Sequence, residues 1–127
     1  RFGVSHMAIS TFVFKELWMN GGFEDREKAF ENKWAHDEQL RFKVMARRAK
    51  LVGLWAAGEM GLSGDAAAAY AVELVKADMA EDGDEDVFRK VKQDFAAKGV
   101  ARSDYHIRQK MDELLAGAKN EVMHEVK

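Results

Sequence analysis

The sequence predicts an all-α fold: a small four-helix bundle with a long first helix whose N-terminal part protrudes or is disordered when free. Three observations predict it. Apolar residues recur three and four apart, and no stretch alternates with period two for long enough to make a strand. Proline is absent, so no residue removes an amide donor inside a helical run. Gly61, Gly64, Gly83 and Gly99 mark short turns between the runs.

The first helix is read over residues 24–60, where the only glycines are Gly53 and Gly58. Those 37 residues would extend roughly 55 Å at about 1.5 Å per residue, against roughly 25–30 Å for the later runs of about 15–20 residues. Short helices cannot cover a partner twice their length. Either the first helix bends, or its first half stands alone as an arm. Glu24, Asp25, Glu27, Glu31, Asp37 and Glu38 face only Arg26, Lys28 and Lys33 in that half. Glu24–Lys28 and Asp37–Arg41 are i,i+4 pairs in the favourable order, each worth about 0.3 kcal/mol. Such pairs permit an unsupported helix but leave it marginal.

The later elements follow from periodicity and caps. Val44, Leu51, Val52, Leu54 and Trp55 form an apolar stripe that ends at Gly61, and Ser63 is placed to cap the next helix. That second helix covers about residues 65–81 and offers Tyr70, Leu74 and Ala77. Asp84 reads as the N-cap of a third helix over about 85–98, with Glu85 and Asp86 favourable near its positive end. Its buried face is expected to be Phe88, Val91 and Phe95, and Gly99 stops it. Ser103 caps the last helix, which carries Ile107, Met111, Leu115, Ala118 and Val122 on one face.

Composition narrows the function. The 127 residues make one domain's worth of chain, with a net charge of −2 that gives no pull toward nucleic acid or an anionic membrane. There is no cysteine, which excludes a disulfide framework, a thiolate nucleophile and a cysteine zinc site, and fits a cytoplasmic protein. Residues 1–22 read as an extension, disordered or placed upstream of the natural chain. The chain opens on Arg1, its apolar run at residues 7–14 is too short to span a bilayer, and Met19 is the better start.

No pattern of catalytic or metal-binding residues emerges. Glu121 and His124 have the Glu-x-x-His spacing of a bundle metal site, but a di-iron site needs two such pairs and further carboxylates. Asp82, Asp84 and Asp86 open like a calcium loop, yet Val87 stands where glycine is needed and Gln93 where glutamate is needed. Gly58, Gly61 and Gly64 lack the lysine and the preceding strand of a phosphate loop. His36, His106 and His124 are scattered, with no nucleophile beside them. Arg41, Lys43, Arg47, Arg48 and Lys50 lack an aromatic stacking platform, so they read as a solvated helix face or as partners for the bundle's acids. Neither an enzyme nor a cofactor is expected. Phe23, Phe30 and Trp34 punctuate the charged arm, and Phe30 and Trp34 fall one turn apart. Either they continue the core stripe and pack on the bundle, or they are exposed anchors for helix-in-groove recognition, and the length mismatch favours the anchors.

The segments FEDREKAF, AHDE, LVGLWAA, MGLSG, AAAYAVELVKAD, GDEDVFRKV and IRQKMDEL resemble the zeta subunit of α-proteobacterial F1Fo-ATP synthases. The resemblance covers residues 23–126; Trp34 stands where phenylalanine is expected, and the N-terminal extension is foreign to the pattern. It implies a four-helix bundle that inhibits ATP hydrolysis by F1. The N-terminal segment would enter a catalytic interface between an α and a β subunit, reach toward the rotor γ subunit and block rotation in the hydrolytic direction. Carried over, the inhibitory segment is residues 20–38, with Phe23, Asp25, Arg26, Glu27, Phe30, Lys33, Trp34, Asp37 and Glu38 as contacts. The arm then occupies residues 23–40 and the bundle residues 41–127. The protein would be a monomer when free and peripheral to the inner membrane through F1. Two other readings stay open: a nucleotide-sensing bundle in which Arg47 and Arg48 bind a purine nucleotide weakly, and an adaptor docking through the same arm.

Overall fold

The computed structural model describes residues 23–80 and 83–125, with side chains from 25 onward. Five helices fill them: α1 (Phe23–His36), α2 (Glu38–Glu59), α3 (Gly64–Asp78), α4 (Gly83–Lys98) and α5 (Asp104–Glu125). No strand occurs among the described residues. The extension read over residues 1–22 lies outside them.

The expected four helices are thus five, because the long first helix is interrupted at Asp37. The cause is local. The Asp37 N–H still donates to the Lys33 carbonyl at 2.9 Å, completing α1. Its Oδ1 then accepts the Leu40 N–H at 3.0 Å, so the side chain caps α2. Such a cap satisfies one of the orphan donors of a helix start and is worth about 1 kcal/mol.

The chain divides after Leu40 into two units, residues 1–40 and 41–127. In the first unit, Phe30 and Leu40 are buried. The second holds the main core, to which four helices contribute. Val52, Ala56 and Ala57 come from α2, Tyr70 and Leu74 from α3, Val87, Val91 and Phe95 from α4, and Ile107 and Met111 from α5. Helix α4 packs against both α3 and α5. Trp55 sets its ring edge-on to Phe95 at 5.5 Å, the arrangement aromatic quadrupoles favour.

Two glycines end helices as the sequence predicts. Gly61 and Gly99 take φ of +81° and +72°, open to glycine at no steric cost. The residue after each folds its amide back onto the last turn, Leu62 to the Ala57 carbonyl and Val100 to the Phe95 carbonyl, both at 2.8 Å. Ser103 Oγ accepts the His106 N–H at 3.0 Å, as expected of a cap.

Other expectations are corrected. Ser63 occupies the N-cap position of α3, but its side chain makes no cap hydrogen bond. Asp84 lies inside α4, and its carboxylate is drawn away by a basic partner described below. Leu54 is 40% exposed. Val87, rather than Phe88, is fully buried at the head of α4, while Phe88 is half-buried with the Arg108 guanidinium 3.8 Å from its ring centre.

Candidate partner-binding site

Helix α1 carries most of the candidate contacts. Helical spacing puts Glu27, Phe30 and Trp34 on one face, at i, i+3 and i+7, and the side chain of Phe23 lies outside the described ones. Asp25, Arg26, Glu27 and Lys33 are exposed, and so is Glu38 in the first turn of α2. Lys33 lies near the negative end of α1 and Glu38 near the positive end of α2, so both charges suit the helix dipoles. The reading of Phe30 and Trp34 as exposed anchors is corrected. Phe30 is only 7% exposed and Trp34 is half-buried, whereas the charged residues around them meet water. Asp37 is half-buried with its carboxylate engaged as the cap of α2.

In the second unit, Lys43, Arg47 and Arg48 of α2 pair with acids on distant segments. Arg47 donates Nη1 to Glu121 Oε1 at 2.9 Å and Nη2 to Glu125 Oε1 at 3.0 Å, and Lys43 lies 3.4 Å from Glu125. These bonds outweigh the desolvation of Arg47 and raise its pKa, and they lower that of Glu125.

Among the described residues, Arg48 is the one buried charge, only 3% exposed. Its Nη2 donates to Asp84 Oδ1 on α4 and lies 3.9 Å from Asp78 Oδ1 at the end of α3, while its Nε is buried with no partner. Burial raises the Asp78 pKa above the ordinary carboxylate range; Arg48 pulls it down and the Asp84 charge pushes it up again. Sequence reasoning placed Arg48 on a solvated face or opposite the bundle's acids. The second of these is correct, and the signal was present, since Arg48 falls midway between buried Val44 and Val52 at intervals of four.

A second polar cluster joins α3 to α4. Tyr70 donates its hydroxyl to Asp94 Oδ2 at 2.7 Å, and Lys90 lies between Glu73 at 3.0 Å and Asp94 at 3.2 Å. The small cleft beside them has a volume of about 210 Å³, below the roughly 300–1,000 Å³ of ordinary ligand sites.

The other candidates do not converge. Glu121 is engaged by Arg47, and His124 Nδ1 lies 2.7 Å from the Asn120 carbonyl. His106 is exposed, 5.9 Å from the Trp55 ring centre, and His36 is exposed at the end of α1. Among the described residues, no group of three or more His, Cys, Asp or Glu could hold a metal ion. No described helix is long and apolar enough to cross a membrane.

These features define a small helical protein in which a charged, aromatic-bearing helix precedes a bundle-like core. The chain belongs to the ATPase inhibitor subunit zeta family, whose sequence model matches residues 19–121. It is also similar to a protein whose solution NMR structure is solved, at 49% identity and a TM-score of 0.61, over 68% of this chain and 99% of that one. No curated protein matches it.

Proposed function

We propose that this protein inhibits ATP hydrolysis by the F1 sector of F1Fo-ATP synthase. In this reading residues 20–38 enter a catalytic interface between an α and a β subunit and reach the γ subunit of the rotor. Residues 41–127 stay outside as the folded unit that holds the arm. The observation that carries it is the match to an ATPase inhibitor family over a stretch that includes all of α1.

The chemistry of α1 supports the mechanism. Phe30 and Trp34 are one turn apart and supply the aromatic bulk that dominates binding hot spots. Asp25, Arg26, Glu27, Lys33 and Glu38 supply charges of both signs to pair across the subunit and rotor surfaces. Because Phe30 is covered in the free protein, engagement must first expose it. That rearrangement costs free energy, so affinity varies with how far the catalytic cleft has closed, and a plug held in one state of the cleft acts as a pawl.

The test is ATP hydrolysis by F1 depleted of its own inhibitor, titrated with protein starting at Met19 and with protein starting at Gln39. Inhibition by the longer form alone is the expected result. Inhibition by both forms would move the active surface to residues 41–127, and inhibition by neither would remove the reading.

A further inference from the structure

Asp37 was read from the sequence as one contact among several, and its surroundings point elsewhere. It is the one residue between Phe23 and Glu59 that is not helical. Residues 24–52 contain neither proline nor glycine, so nothing else in their composition calls for a break. The α1 hydrogen-bond ladder runs up to the break, since the Asp37 N–H reaches the Lys33 carbonyl at 2.9 Å. An uninterrupted helix would give the Leu40 N–H to the His36 carbonyl. Here it goes to Asp37 Oδ1 at 3.0 Å. A short carboxylate that competes with the backbone for a local donor is how aspartate ends one helix and starts another. The carboxylate that does this is half-buried, unlike the exposed acids Asp25, Glu27 and Glu38.

We propose that Asp37 is a positioning residue for inhibition: by capping α2 it breaks the helix and sets where the arm departs, and it acts through that break rather than through a charged contact of its own with the partner. This rests on the inhibitory reading above. The cap needs an acceptor oxygen, not a charge, so aspartate can be replaced by asparagine without losing it. A partner contact that needs the negative charge cannot survive that replacement.

The experiment compares Asp37→Asn and Asp37→Ala with the parent chain, by backbone chemical shifts and amide exchange at residues 36–40 and by titration of F1. Asp37→Asn is expected to keep the non-helical shift at 37 and to inhibit within about twofold of the parent; Asp37→Ala is expected to run helical through 37 and to inhibit at least about tenfold more weakly. The proposal is overturned if the asparagine variant is as weak as the alanine variant, which would make the charge a contact. It is equally overturned if the alanine variant becomes continuous yet inhibits like the parent, or stays broken. Failure of the parent chain itself to inhibit would strike the functional reading, and the inference with it, while the shifts at 37 would still report whether the cap makes the break.

Discussion

Gly53 on α2 and Ala71 on α3 approach backbone to backbone: a Cβ added to Gly53 would lie 2.6 Å from the Ala71 Cα. No real side chain tolerates that distance, so the two helices cross this closely only because Gly53 has no Cβ. Gly53→Ala is expected to force the helices apart and destabilise the fold by about 1–3 kcal/mol, overriding the better helix propensity of alanine. Gly58, five residues on in the same helix, meets nothing within 4 Å. There the propensity term acts alone, and Gly58→Ala is expected to stabilise by about 0.5–1 kcal/mol. Urea unfolding of the two variants checks this, and effects of the same sign would count against the close crossing.

Asp78 makes a signed prediction about pH. Burial, helped by the Asp84 charge and opposed by Arg48, raises its pKa in the folded state. A raised carboxyl holds its proton more tightly when folded, so its contribution is fully present below the unfolded value and is lost as pH rises through the folded one. Asp78→Asn is therefore expected to gain stability over the parent at neutral pH, with the gain disappearing on acidification toward the ordinary aspartate range. Thermal melts of both proteins from pH 7 to pH 4 give the difference, and a gain that grows on acidification would reverse the assignment.

Tyr70 should govern the alkaline limb. Burial first, and then its bond to Asp94, push the hydroxyl above its ordinary range. The native state therefore keeps a proton that the unfolded chain gives up near pH 10, and stability falls as pH rises beyond that value. Tyr70→Phe removes the 2.7 Å bond and is expected to cost about 1 kcal/mol at neutral pH. Its loss between pH 9 and pH 11 should be shallower than the parent's, measured by denaturant unfolding; parallel curves would show that Tyr70 is not the group responsible.

The anchors of the arm can be separated from its charges. Phe30→Ala with Trp34→Ala is expected to abolish inhibition of F1, because in the proposed mechanism the two rings supply the apolar part of the contact. The midpoint of the main unfolding transition should hold, since neither residue belongs to the core cluster of the second unit. Full inhibition by the double variant would sink the anchor assignment and leave the charged residues as the active feature.

Much of the second unit was legible because helical burial repeats with the period of the chain. Tyr70, Leu74, Val91, Phe95, Ile107, Met111, Ala118 and Val122 were assigned to the interior and are buried. Gly61, Gly99 and Ser103 were legible for a different reason, since turn and cap chemistry is settled within a few residues. Asp37 was legible only as a helix-compatible charge. Its i,i+4 relation to Arg41 favoured one continuous helix, and the competing bond to Leu40 depends on the backbone conformation that the break itself creates.

The sequence by itself determined that this protein is helical, where most of its helices end and which face of each is apolar, because those properties are local and periodic. It also carried the family, through motifs spread along the chain. Tertiary structure decided what periodicity cannot carry. Arg48 is buried because Asp84 and Asp78, 36 and 30 positions away, come to the same spot. Leu54 faces water and Val87 the core because neighbouring helices cover one flank and not the other. Gly53 matters because another backbone arrives beside it. Each depends on contacts between segments remote in the chain, and their free energy exists only once the helices have packed.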